Sequence, residues 1–286
     1  MTSAVVDPNR DLEAGLDALE LGPVEARRPR WRQALSSTLP PLLALVAILG
    51  IWQLVVSTQH PVNLPSPSEV GNELQSQWNQ GRIQQAVGNS LYHGVLGFLI
   101  SAAVATPLGV LLARVSLLRR SLRPLITGLQ SLPSVVWVPA GILWFGLSAR
   151  TLFFVVLMGA IPSIVNGTIS GIDQVPPLYL RVGHVLGARG LTLARHVLLP
   201  AALPGYLGGL KQGWAFSWRS LMAAELIASS GTLGLGQLIE DARNVSSFPG
   251  VIVGILAILV VGIAVDLLFF SPLERSILRR RGLLAS

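Results

Sequence analysis

Six stretches of this chain, residues 39–56, 90–112, 124–145, 152–172, 205–228 and 249–270, are apolar over close to the length needed to cross a bilayer. A spanning helix takes about 20 mostly apolar residues. Inside hydrocarbon every backbone N–H and C=O must be bonded within the segment, so runs of this kind fold as helices. Two of the six are less uniform: 124–145 is interrupted by Pro133 and Pro139, and 205–228 carries Lys211, Arg219 and Glu225. Composition points the same way, with 51% hydrophobic and 12% charged residues against about 25% charged in a soluble domain. The expectation is an all-α integral membrane protein with six transmembrane helices, which puts both termini on one side.

Side follows from the arginines, because cytoplasmic segments near span ends are enriched in Lys and Arg. Arg27, Arg28, Arg30 and Arg32 precede the first span, and Arg114, Arg119, Arg120 and Arg123 join the second to the third. Arg181, Arg189 and Arg195 lie between the fourth and fifth, and Arg275, Arg279, Arg280 and Arg281 follow the sixth. The other side holds only Arg82, Arg150 and Arg243. The termini are therefore expected in the cytoplasm of a multi-pass cell-membrane protein. The net charge of +7 is then a topological signal, which removes nucleic acid as a partner. With no cysteine there is no disulfide framework and no thiolate metal site.

Residues 1–38 read as a cytoplasmic tail. Its first 26 residues are polar and acidic, unlike the basic start of a cleaved secretory signal. The first span takes 39–57 and an extracytoplasmic connector 58–89. Within the connector, Ser66 or Ser68 can cap a helix over 69–78 with Pro67 in its first turn. The remaining spans fill 90–275, and 276–286 form a second cytoplasmic tail.

Between the fourth and fifth spans lies a polar island, 179–204, within a loop 173–204. Apolar residues recur at helical spacing over 178–186 and 191–199, and Gly187 and Gly190 interrupt them. This predicts two short amphipathic helices with a bend. Pro200 and Pro204 are expected to break the helix and start the next span.

The run Arg181-Val182-Gly183-His184-Val185-Leu186-Gly187-Ala188, followed by Leu199-Pro200, resembles the EAA loop of inner-membrane permease subunits of ABC importers. In that family a Glu-Ala-Ala triplet is followed by a glycine and further on by a proline. Here Gly187 and Pro200 are in register, while Arg181 replaces the acid. Asn63-Leu64-Pro65-Ser66-Pro67-Ser68, Leu132-Pro133 with Trp137-Val138-Pro139, Trp144-Phe145-Gly146, Gly209-Leu210-Lys211, Ala223-Ala224-Glu225 and Gly234-Leu235-Gly236 are similar to the nitrate, sulfonate, taurine and bicarbonate branch. The resemblance covers about residues 60–275. It implies a MetI-like permease fold whose coupling helices dock two cytoplasmic ABC ATPases. It also implies a second permease copy, as a homodimer, and an extracytoplasmic solute-binding protein. The coupling residues carried over are Arg181, Val182, Gly183, Leu186, Gly187, Ala188, Leu199 and Pro200.

The chain has no G-x-x-x-x-G-K-[ST] phosphate loop, so ATP and its Mg ion are expected on the ATPase partner and no cofactor on this chain. Its four histidines are dispersed, which speaks against a metal site. No catalytic residue is assigned. An intramembrane enzyme would need Ser101, Ser170 or Ser217 beside His93, and a passive channel would not need the island.

Charge at membrane depth usually faces the bundle interior or a water-filled cavity. Arg219 can face the pathway and lower the barrier for a small anion such as an aliphatic sulfonate, taurine or nitrate, or it can bond to an acid or carbonyls on another helix. Glu225, near the outer end, reads as a structural or gating contact, and Lys211 as a snorkelling side chain. Trp214 and Trp218 lie one turn apart on the Arg219 side and either line a pathway or pack between helices. Gln130, Ser134 and Trp137 beside Pro133 and Pro139, and Asn166 in the fourth span, are further pathway candidates; packing or interhelical bonding is the alternative for each. An organic vitamin precursor of pyrimidine or flavin type is the other substrate class.

Overall fold

A computed structural model describes residues 30–59, 64–228 and 230–280. The tail ahead of residue 30 and the last six residues of the second tail lie outside the described residues. The chain divides into two units, Met1–His60 and Pro61–Ser286. In the first, helix α1 (Arg30–Gln59) contains the expected span 39–57.

The second unit is helical throughout its described elements. It begins with α2 (Pro67–Asn79), where the expected surface helix forms. Ser66 is the cap: its Oγ accepts the Glu69 amide at 3.3 Å, and the Glu69 carboxylate accepts the Ser66 amide at 2.8 Å. Two orphan amides are thus satisfied at once. The helix α3 (Arg82–Arg114) follows, then α4 (Ser116–Ser131), a 3₁₀ turn (Ser134–Val136), α5 (Trp137–Phe145) and α6 (Ala149–Asp173). After α6 come α7 (Pro177–Val185), the short α8 (Gly190–Leu193) and a π-helical turn (Ala194–Leu198). The last elements are α9 (Leu199–Ile227), α10 (Leu235–Asn244), α11 (Phe248–Val265), a second π turn (Asp266–Phe270) and α12 (Ser271–Arg280).

By length and apolarity, α3, α6 and the continuous stretch Phe248–Arg279 can each cross a membrane. The expected third span is not one straight helix. The axes of 116–131 and 134–145 meet at 93°, because Pro133 removes an amide and drives Leu132 into extended backbone (φ −72°, ψ 133°). The fifth expected span lies in α9, whose 29 residues include Lys211, Arg219 and Glu225.

At the centre α6 packs against α9 and α3. Gly167 and Gly171 on α6 face Gly209 and Gly205 on α9, so both helices present a Gly-x-x-x-Gly pair. A methyl on Gly209 would sit 2.6 Å from the Gly167 Cα, and one on Gly171 would sit 2.7 Å from the Tyr206 amide nitrogen. The backbones touch, and dispersion between them replaces the hydrophobic drive that lipid does not supply.

One expectation at the island is corrected. Pro200 and Pro204 do not break the chain: α8, the π turn and α9 run on without a loop. The Leu199 amide reaches back to the Ala194 carbonyl, so the i−4 ladder is already displaced when Pro200 arrives without its own N–H. The wider turn absorbs the proline.

Candidate functional site

Where α4 gives way to the bend at Leu132–Pro133, a cavity of about 280 Å³ opens between Gln130, Ser134, Gly159 of α6, and Phe216 and Arg219 of α9. Irregular backbone at membrane depth is tolerated where it lines a cavity or is covered by protein. The bend creates this cavity and faces it. Arg219 is exposed, its guanidinium carbon lies 5.4 Å from the centre of the Phe216 ring, and among the described residues it has no acidic partner. Five guanidinium N–H donors therefore border the same cavity as the Ser134 hydroxyl and the Gln130 amide, with no acid beside them among the described residues. Such a donor set can accept an anion.

Asn166 orients the neighbouring amide. Its Nδ2 donates to Gln130 Oε1 at 2.7 Å and stands 3.5 Å from Thr127 Oγ1. With its oxygen engaged, Gln130 keeps its NH₂ for the cavity. About three turns earlier on the same face of α4, Arg119 forms a two-pronged ion pair with Asp173. These two rungs join α4 to α6.

The other pathway candidates lie elsewhere. Trp137 packs edge-on to Phe154 at 6.2 Å. Trp214 and Trp218 turn away from the Arg219 cavity: they stack on each other at 6.0 Å and 21°, and Trp214 meets Phe98 at 5.6 Å. Trp214 also borders a separate apolar cavity of about 500 Å³ with Phe98, Val261 and Phe270.

Glu225 is buried at the opposite end of α9 from the island. The Ser90 hydroxyl and the Gly236 amide, at 2.7 and 3.1 Å, both donate to its Oε2. Ser90 Oγ in turn accepts the Leu235 amide at 2.8 Å. The carboxylate caps the start of α10, where orphan amides and the helix dipole favour an anion. A methyl on Gly234 would overlap this carboxylate, and one on Gly236 would lie 2.6 Å from Glu225 Cβ. The Ala223-Ala224-Glu225 and Gly234-Leu235-Gly236 motifs are thus two halves of one contact.

Sequence reasoning missed the partners of Lys211. Its Nζ lies 3.0 Å from Asp266 and 3.8 Å from Glu274, at the second π turn. The available signal was Asp266, the one acid within the apolar run 249–270.

The island forms a compact hairpin. Helix α7 ends with the Gly187 amide bonded to the His184 carbonyl and the Ala188 amide to the Gly183 carbonyl, at 3.0 and 2.9 Å. Gly187 has φ +83°, so this is a Schellman end with glycine at its left-handed position. A methyl on Gly187 would meet nothing within 4 Å; the glycine serves the turn. Close approach belongs to Gly183, where a methyl would meet Leu193 at 2.6 Å and Val197 at 3.1 Å. Beneath, Val175, Leu198 and Ala202 make a small core. Val182, Leu199 and above all Val185 and Leu186, 86% and 80% exposed, are apolar side chains that the hairpin leaves uncovered. Arg181 and Pro200 are exposed and Ala188 is half-buried.

His93 lies edge-on to Tyr92 and Phe153, and Ser101 donates to the Gly97 carbonyl. No serine–histidine pair is formed among the described residues.

Residues 105–271 match the family described as binding-protein-dependent transport system inner membrane component. The chain is 30% identical over 262 residues to the bicarbonate transport system permease protein CmpB of Synechococcus elongatus, covering 87% of this chain and 93% of that protein. It is 31% identical over 242 residues to the putative aliphatic sulfonates transport permease protein SsuC of Bacillus subtilis, covering 84% and 87%. In fold it is similar to a chain of the inward-facing MetNI methionine ABC transporter, with a TM-score of 0.55 and 18% identity over 68% of this chain and 96% of that one.

Proposed function

The chain belongs to the binding-protein-dependent transport system inner membrane component family, a permease subunit of an ABC importer rather than an enzyme, and from that premise we propose that it forms the import pathway for a small anion. The observation that carries this reading is Arg219, a cation without an acid partner among the described residues, set with Gln130 and Ser134 around one cavity. Relatives named for bicarbonate and aliphatic sulfonates support it. Among the described residues the cavity has one aromatic side chain, Phe216, which gives a pyrimidine or flavin precursor little to stack on.

The arginine distribution supports cytoplasmic termini and a cytoplasmic island. The apolar face of Val182, Val185, Leu186 and Leu199 is the docking surface for an ATPase, which carries the ATP and Mg that this chain has no loop to hold. Two such ATPases serve two copies of the permease, and a solute-binding protein delivers the anion on the side of α2. ATP binding closes the ATPases and pulls on α7 and α8; the π turn at Ala194–Leu198 passes that movement into α9, which bears Arg219. Hydrolysis resets the pathway.

Loss of a hydrogen bond to a charged group costs about 1.5–3 kcal/mol, or roughly 10- to 150-fold in affinity. Arg219→Ala in the reconstituted complex is expected to weaken anion-stimulated ATP hydrolysis by about that factor. Unchanged anion transport and affinity would remove the anion reading.

A further inference from the structure

Helix α4 is amphipathic in an unusual place. Ser116, Arg119, Arg120, Arg123 and Thr127 recur at three- and four-residue spacing along one face, and Gln130 continues it. Leu122 and Ile126, on another side, pack against the core. Leu125, opposite Thr127, is 64% exposed. No residue of α4 is fully buried, yet this helix leads straight into the bend that forms the Arg219 cavity. Along this polar face lies an open surface hollow of about 540 Å³ bordered by Ser116, Arg119, Arg120, Arg123, Pro124 and Thr127, all of α4. From Ser116 to Gln130 is about 21 Å at 1.5 Å per residue, so one helix face runs from this hollow to the cavity.

The charge along that face is not neutralised. The described acids at this end are Asp173, which pairs with Arg119, and Asp266 and Glu274, which pair with Lys211. Arg120 and Arg123 are exposed and have no ion pair among the described residues. A guanidinium at the membrane boundary turns to water rather than to acyl chains.

We infer that this face of α4 is the exit route of the transported anion, with Arg120 and Arg123 as a second anion-accepting site on the cytoplasmic side of the Arg219 cavity. The inference rests on the anion reading above and on the cytoplasmic placement of the α3–α4 turn. An anion released from Arg219 moves past Gln130 and Thr127 into a field that remains attractive. Because Arg120 and Arg123 are solvated they hold it weakly, and it leaves. Asn166 and Asp173 fix the two ends of the face to α6, so that the route stays aligned.

The absence of native cysteine makes the test direct. Thr127→Cys, in the complex assembled with its ATPase in inside-out vesicles, is treated with a sulfonate-bearing and a trimethylammonium-bearing methanethiosulfonate. The sulfonate reagent is expected to react on the order of tenfold faster, relative to the two rates with a free thiol. Adding Arg120→Gln and Arg123→Gln should abolish that preference. Leu125→Cys, exposed on the opposite face and away from the arginines, should show no such charge preference. A Thr127→Cys that does not react, or that reacts alike with both reagents while the arginines are present, overturns the exit route. If Arg219→Ala still weakens anion affinity in that case, only the route falls. If Arg219→Ala leaves transport and affinity unchanged, the anion reading falls and takes the route with it.

Discussion

Ser90 stands between Glu225 and Leu235, donating its proton to the carboxylate at 2.7 Å and accepting the Leu235 amide at 2.8 Å. One hydroxyl thereby ties α3, α9 and the first turn of α10 together. Nearby, the Asn89 amide donates to the Leu233 carbonyl at 2.9 Å, and Arg82 pairs with Asp241 at 2.9 Å. The end of the bundle remote from the island is held as a cap by side chains at the start of α3.

Removing Ser90 leaves a buried carboxylate short of a donor and a buried amide without an acceptor. Each unsatisfied group costs about 1–3 kcal/mol. Ser90→Ala is expected to lower the thermal unfolding midpoint of the purified permease. Glu225→Gln is expected to do the same, because its NH₂ group would face donors. The two changes act on one network, so the double variant should lose less than the sum of the single losses. Strict additivity in a thermal-melt cycle would show that the contact is not shared.

The α6–α9 seam makes a sharper prediction, because the neighbours of its glycines differ. A side chain at Gly167 would overlap the Gly209 backbone, whereas nothing lies within 4 Å of one at Gly208. Gly167→Leu should prevent the helices from meeting and abolish recovery of folded protein. Gly208→Ala should express and melt like the parent, gaining up to about 1 kcal/mol from helix propensity. Size-exclusion profiles and melting curves of the two variants give the comparison. Equal behaviour would mean that the seam is not where the bundle is held.

The limits of sequence reading are visible in particular residues. Six long apolar runs carry the fold class, and Ser66-Pro67-Ser68-Glu69 carries the start of α2, because both signals are local. Pro133 announces the bend, but its 93° angle depends on what α6 and α9 leave free. Trp214, Trp218 and Arg219 share one stretch of helix, but at 3.6 residues per turn Arg219 stands about 100° round the axis from Trp218 and about 140° from Trp214, so placing all three on one side misreads the spacing. The structure shows the separation: neighbours on α3 and beyond α11 take the tryptophans. Glu225 and Gly234 read as separate motifs along the chain; only a carboxylate folded back onto the next helix shows why both are needed. Lys211 reads as a solvent-seeking side chain because Asp266 lies 55 positions away.

The Lys211–Asp266 pair is half-exposed, with 40% of each side chain accessible. A pair so placed contributes at most about 1 kcal/mol, so Lys211→Ala should scarcely alter melting. Its position between α9 and the π turn predicts an effect on turnover instead. Lys211→Asp should lower the transport rate of the reconstituted complex, and adding Asp266→Lys should restore a substantial part of it. Failure of the second change to restore any rate would assign the loss to Lys211 alone.

Gly187 separates folding from coupling. Its φ of +83° costs a residue with a Cβ about 1–2 kcal/mol, while the surrounding space is open. Gly187→Leu therefore threatens only the Schellman turn, and the core of Val175, Leu198 and Ala202 is left alone. The variant is expected to fold and melt within a few degrees of the parent, but α7 can no longer end where it does. Leu186, 80% exposed, then shifts relative to Leu199, and the apolar face loses its shape. Solute-stimulated ATP hydrolysis by the assembled complex should fall severalfold while basal hydrolysis persists. At Gly183 the order is reversed: Gly183→Leu drives a side chain into Leu193 and Val197 and should cost stability before it costs coupling. Wild-type stimulation by the Gly187→Leu complex would mean that the turn is not part of the docking surface.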